Sequence, residues 1–132
     1  MELQGGCQCG AVRYRIDGEI RHVSLCHCAD CRKSAGAPMV AWAACDAGDF
    51  QVTAGVATMY SSNGSSIRYF CATCGSGLYY VNEEALPGLV DIQVATLDDP
   101  DALPPQAQIQ VAERIRWMPD VMTLPEFARF PG

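Results

Sequence analysis

Cysteines constrain this chain more than any other residue type. Eight of them fall into three close-set groups and one isolated residue: Cys7-x-Cys9, Cys26-x-Cys28-x-x-Cys31, Cys71-x-x-Cys74, and Cys45. What such groups do depends on the redox compartment. Residues 1–7 offer neither a basic stretch nor an apolar run of the export type, so the expectation is a cytoplasmic protein. Disulfides are then disfavoured, and metal ligation is the natural use of clustered thiols. A tetrahedral zinc with Zn–S bonds of about 2.3 Å needs sulfurs roughly 3.8 Å apart, and two cysteines in one tight turn supply an edge of that tetrahedron.

Two such turns complete a site. Cys7 and Cys9 are expected to join Cys71 and Cys74, because each pair is followed by a glycine, Gly10 or Gly75. Glycine takes positive φ readily, which lets backbone N–H groups point at the thiolates. Structural zinc contributes roughly 10–16 kcal/mol in small peptides at neutral pH, as much as the whole net stability of a domain. Cys26, Cys28 and Cys31 remain, and three protein ligands leave a tetrahedral zinc one open position, the arrangement of catalytic sites.

His27 lies between two of these ligands, and in extended geometry its side chain points away from both. It is a candidate catalytic base, with a hydrogen-bonded structural histidine as the plainer alternative. Arg32 and Lys33 follow the cluster and are candidates to bind an anionic thiol, with a solvated helical turn as their alternative. Cys45 reads as a small buried hydrophobe, its rival reading being a redox thiol.

The rest of the composition narrows the class. Nine Lys+Arg against fifteen Asp+Glu give a net charge of -6, and Lys33 is the single lysine, which argues against a nucleic-acid partner. With 132 residues, 49% hydrophobic and 18% charged, the chain is expected to form one ordered domain over residues 1–132. The longest uncharged apolar run, residues 34–45, is shorter than the roughly 20 residues that span a bilayer, so no membrane segment is expected.

Val12, Tyr14 and Ile16 alternate with Arg13 and Arg15, which is the pattern of a half-buried strand. Similar runs at 21–25, 39–44, 50–53, 56–60, 67–71, 77–81, 89–96 and 108–112 predict an all-β, antiparallel fold stapled by zinc. Asn63-Gly64 predicts a tight turn between the strands at 56–60 and 67–71. Short helical turns are predicted at 30–35, at 82–86 and from Pro125.

Gly5-Gly-Cys-Gln-Cys-Gly-Ala-Val-Arg-Tyr14, Cys26-His-Cys-Ala-Asp-Cys-Arg-Lys-Ser-Ala-Gly-Ala-Pro38, Phe70-Cys-Ala-Thr-Cys-Gly-Ser76 and Ala95-Thr-Leu-Asp-Asp-Pro100 together resemble the glutathione-dependent formaldehyde-activating enzyme family, whose domain also occurs in centromere protein V. The resemblance implies a fold like that of the small zinc-bearing Rab exchange factors. It also implies two zinc sites, structural at the outer clusters and catalytic at the middle one. The implied activity is that of an S-(hydroxymethyl)glutathione synthase, a carbon–sulfur lyase in reverse, with glutathione and formaldehyde as small-molecule partners. A non-catalytic, zinc-stapled binding module is the alternative. One departure stands out: the family's histidine before an isoleucine corresponds here to Gln108 before Ile109, and an amide carries no proton near neutral pH.

Overall fold

Alternating side chains along short strands sort this chain into two sheets that share a core. The computed structural model describes residues 2–132. Its elements are β1 (Glu2–Gly6), β2 (Arg13–Asp17), β3 (Ile20–Cys26), α1 (Ala29–Ala35), β4 (Val40–Asp46), β5 (Phe50–Ala54), β6 (Thr58–Tyr60), β7 (Ile67–Phe70), β8 (Gly77–Val81), β9 (Leu89–Gln93) and β10 (Ala107–Ile109). Three strands form one sheet in the order β1-β2-β5, and seven form the other in the order β10-β3-β4-β9-β8-β7-β6.

The core lies between them. Val12, Tyr14 and Ile16 are buried, as their alternation predicts, and meet Val23, Ala43, Cys45, Val90 and Ile92 from the larger sheet. Fully burying a side chain the size of Val or Ile contributes about 1.5–3 kcal/mol, so this seam supplies much of the driving force for the two sheets to pack. Phe50 bridges the sheets through rings, 5.5 Å from Tyr14 and 4.6 Å from Tyr79. The Tyr14 hydroxyl meets Thr96 Oγ1 at 2.8 Å, so its one polar atom stays paired.

Several expectations are corrected. The strand predicted at 108–112 is β10, which runs parallel to β3 rather than antiparallel and ends at Ile109. It arrives after a long connection over the sheet's edge, and such a return can approach in either direction. The run at 89–96 is a strand only to Gln93, with a 3-10 turn over Val94–Thr96. Residues 56 and 57 precede β6, while the predicted hairpin is present: β6 and β7 pair antiparallel across the six-residue connection 61–66 that holds Asn63-Gly64. Asn63 organises that loop by accepting from the backbone N–H groups of Ser65 and Ser66. No helix starts at Pro125: Pro131 follows too soon, and the segment's 3-10 turn lies earlier, over Met118–Thr123. Residues 82–86 make a single turn closed by Leu86 N–H donating to the Asn82 carbonyl. β1 has no counterpart in the sequence reading, since Gln4-Gly5-Gly6 lacks apolar alternation and pairs with β2 through its backbone.

Because directly opposed residues share a face, the register writes out what the larger sheet presents on the side away from the core. Across β6, β7, β8, β9, β4 and β3, one row reads Tyr60, Arg68, Tyr80, Asp91, Ala44 and His22. That face carries the candidate site. No helix among the described residues is long and apolar enough to cross a membrane.

Candidate metal centre

The first sulfur cluster joins the two sheets. Cys7 and Cys9 lie in the β1–β2 connection and Cys71 and Cys74 in the β7–β8 connection, with all four sulfurs within 4.8 Å of one another. Cys7 and Cys9 sulfurs are 3.6 Å apart and those of Cys9 and Cys71 3.8 Å, which are the edge lengths of a tetrahedral tetrathiolate zinc site. The two turns are built alike. Gly10 N–H donates to the Cys7 carbonyl and Gly75 N–H to the Cys71 carbonyl. Both glycines have positive φ, 81° and 83°, while a Cβ on either would meet nothing, so conformation and not space is what requires glycine.

Backbone and hydroxyl donors prepare this cluster for charge. Hydrogen bonds from the Ser76 hydroxyl and backbone pull the Cys74 thiol down to about 5. Burial works against Cys7, yet the Val12 N–H, 3.2 Å from its sulfur, and the neighbouring sulfurs leave it lowered. Cys9 is pushed up to about 11: the Ala11 N–H favours its thiolate, but crowding by the Cys7, Cys71 and Cys74 sulfurs outweighs that help. Four adjacent thiolates need a cation in their midst, and a soft divalent ion suits four sulfurs.

The second cluster holds Cys26, Cys28 and Cys31, again with sulfurs within 4.8 Å. Cys26 ends β3, Cys28 caps α1, and Cys31 lies one turn into it. The Cys28 sulfur accepts from Cys31 N–H at 3.3 Å, standing where Ser or Asp commonly caps a helix. Gly36, at φ 63°, ends the helix. No histidine, aspartate or glutamate among the described residues joins these three sulfurs. Burial pushes the Cys26 thiol up to about 12 and raises Cys31, whose charged form is helped by Arg68 with Nη2 3.8 Å from its sulfur.

A cavity of about 860 Å³ opens over this cluster and runs along the outer face of the larger sheet. Trp42 and Tyr80, with ring centroids 5.9 Å apart, wall it beside the sulfurs, and Arg68 lies over the Tyr80 ring at 5.2 Å. Lys33 reaches the cavity, whereas Arg32 does not line it. The Arg32 guanidinium instead donates to the carbonyls of His27 and Glu113. His27 is 1% exposed, and its ring meets Gln108 rather than the sulfurs. Cys45 is fully buried in the core and pushed up to about 11 by that burial, as expected of a structural thiol. Arg68 and Asp91 went unread in the sequence. Each is a charge inside an apolar strand, and that is the signal that marks them. Gln110 also lines the cavity and has φ 57°, the left-handed region that favours glycine.

The model of the glutathione-dependent formaldehyde-activating enzyme family matches residues 2–113. A Halomonas elongata protein whose name repeats the family's description is 31% identical over 114 residues, covering 80% of this chain and 72% of its own. A Schizosaccharomyces pombe protein named as an uncharacterized lyase is 30% identical over 79 residues, 60% of this chain; the match spans 57% of that protein's length. The crystal structure of a Rhodobacter sphaeroides protein superposes with a TM-score of 0.65 at 24% identity, covering 80% of this chain and 98% of that one, and so shares the fold. With the family's model matching over most of its length, the chain belongs to the glutathione-dependent formaldehyde-activating enzyme family.

Proposed function

We propose that the protein catalyses the reversible addition of glutathione to formaldehyde, giving an S-hydroxymethyl adduct. A carbon–sulfur bond forms between the thiol sulfur and the aldehyde carbon, and the proton given up by the thiol ends on the aldehyde oxygen. One observation carries this reading: the two sulfur clusters are unequal. Cys7, Cys9, Cys71 and Cys74 make a complete set of four, whereas Cys26, Cys28 and Cys31 are three and open on a cavity. Zinc, when bound by the three, supplies an exchangeable fourth position that holds a thiol as its thiolate.

The chain's own residues do the remaining work. A thiolate beside three others is costly, and Arg68 next to Cys31, with Lys33 at the cavity, offsets that charge. One cation about 5 Å away contributes roughly 3 kcal/mol at an effective dielectric of 20, before desolvation is subtracted. Trp42 and Tyr80 give the thiol's carbon chain a dry wall. We assign Arg32 and His27 to holding the metal loop, through the hydrogen bonds that tie both to residues 108–113. A cytoplasmic setting, where thiols stay reduced, suits the cysteines and the co-substrate alike.

Exchange NMR with isotopically labelled formaldehyde and glutathione tests the reading on protein carrying two zinc ions per chain. The expected result is adduct formation faster than in protein-free solution, with the acceleration lost in Cys28→Ser while one zinc is retained. Acceleration that survives Cys28→Ser places the chemistry elsewhere. No acceleration at full occupancy leaves a zinc-stapled binding module.

A further inference from the structure

Asp91 occupies an unusual position for a carboxylate. It stands in β9 between Val90 and Ile92, is 9% exposed, lines the cavity, and makes neither a hydrogen bond nor an ion pair among the described residues. Its Oδ1 is buried without any partner. Burying an unpaired carboxylate costs stability, so a ligand that supplies the missing cation gains what folding gives up. Its register neighbours supply none: Ala44 is apolar and Tyr80 neutral, and beyond Ala44 the nearest basic group is His22, exposed at the sheet surface.

The row in which Asp91 lies connects it to the metal cluster. Arg68, Tyr80 and Asp91 are directly opposed on β7, β8 and β9, so a cation and an anion flank one aromatic ring. The two do not pair with each other: the Arg68 guanidinium is drawn over Tyr80 and towards Cys31. Two strand spacings of about 4.8 Å separate β7 from β9, so the backbone of Asp91 stands on the order of 10 Å from that of Arg68, the residue whose guanidinium reaches the Cys31 sulfur. A free cysteine, with amine and sulfur on adjacent carbons, cannot span that distance. An extended γ-glutamyl-cysteinyl unit can, at about 3.3–3.6 Å per residue over nearly three residue lengths of chain.

We infer that Asp91 is the receptor for the ammonium group of the thiol co-substrate, so that the cavity selects a peptide-length thiol with a remote amine over a short aminothiol. This rests on the thiol-adding reading above. The sulfur would lie at the Cys26–Cys28–Cys31 end, beside Arg68, and the amine at the floor of the cavity.

The test is a spectroscopic titration of protein carrying cobalt(II) at both sites, with glutathione, amine-acetylated glutathione and cysteine as probes. Wild type is expected to bind glutathione about tenfold to a hundredfold more tightly than the acetylated form, the range of a charge-assisted hydrogen bond. Asp91→Asn should bind glutathione as weakly as wild type binds the acetylated thiol, and should bind the acetylated thiol as wild type does. Asn is neutral and nearly the same shape, so the variant is expected to melt no lower than wild type. Equal affinity of wild type for both forms of glutathione overturns the assignment. So does an equal loss for both forms in Asp91→Asn, which marks a merely structural role. A cobalt spectrum blind to every thiol brings down the thiol-adding reading and this inference with it; a spectrum that responds to both glutathiones alike brings down only the inference.

Discussion

His27 and Gln108 close the back of the metal loop, with His27 Nε2 2.9 Å from Gln108 Oε1. Arg114 Nη2 donates to the same oxygen at 3.2 Å, so that oxygen is an acceptor and Nε2 is the ring nitrogen that carries a proton. Nδ1 is left buried without a partner among the described residues. The position where relatives are expected to place a histidine thus holds an amide that fixes the tautomer of a different one. The same strap binds the loop through His27 N–H to the Ile109 carbonyl and Ala29 N–H to Glu113 Oε1.

Removing that partner strands a buried donor. Gln108→Leu is therefore expected to lower unfolding free energy by about 1–3 kcal/mol, against a smaller loss for Gln108→His, whose ring can still accept. Urea unfolding of the zinc-loaded proteins measures both. Identical midpoints for Gln108→Leu and wild type would show that the bond contributes nothing.

Much of the fold was legible because it follows from alternation, which depends on neighbours in sequence: Val12, Tyr14 and Ile16 announce their face, and Gly10 and Gly75 announce the turns that gather four sulfurs. What stayed hidden depends on residues far apart in the chain. The direction of β10 is set by where its long connection returns, and β1 is held by backbone pairing that Gly5 and Gly6 do not advertise. Arg32 and Lys33 drew attention as neighbours of the cluster in sequence. Arg68 and Asp91 reach the cavity only through the register of β7, β8 and β9.

The two sulfur clusters should part company under chelation. The middle set opens on the cavity and offers three sulfurs, while the outer set offers four and joins the sheets over a sequence separation of 62 between Cys9 and Cys71. A chelator at neutral pH is expected to take one metal per chain first with near-ultraviolet circular dichroism unchanged. Loss of the second should coincide with unfolding, since about 10–16 kcal/mol exceeds the net stability of most domains. Metal content measured alongside dichroism decides; unfolding on loss of the first ion contradicts this order.

Two aspartates should give opposite pH signatures. The Arg13 guanidinium donates to both Asp98 oxygens and holds that carboxyl below the usual range. Its stabilisation is present above the ordinary value near 3.9 and is lost as pH falls through the folded value. Burial raises Asp91, so its cost is absent below the ordinary value and grows as pH rises through the folded one. At pH 7, Asp91→Asn is expected to be more stable than wild type by about 1–3 kcal/mol, a gap that closes as pH falls from the folded value of Asp91 to the ordinary one. Asp98→Asn is expected to be less stable by no more than about 1 kcal/mol, because the pair is exposed. Carboxyl carbon NMR checks the order directly: a midpoint for Asp91 at or below that of Asp98 contradicts it.

Arg68 and Arg32 provide a contrast between a charge that faces the cavity and one that does not. Arg68 touches Cys31 and stacks over Tyr80, so Arg68→Gln removes a cation in contact with the cluster, and glutathione affinity at the cobalt-loaded middle site is expected to fall about tenfold or more. Arg32 donates to the carbonyls of His27 and Glu113, and its loss should appear as a lower melting temperature and faster metal release, with glutathione affinity nearly unchanged once the site is filled. Lys33 lies between these cases, at the cavity edge without a fixed partner among the described residues, so Lys33→Gln should weaken thiol binding less than Arg68→Gln and more at low salt than at high. Titrating all three variants at two ionic strengths separates the roles, and an Arg32→Gln variant that loses as much affinity as Arg68→Gln would mean that the charge next to the cluster in sequence, not the one opposed to it across the sheet, supports the bound thiolate.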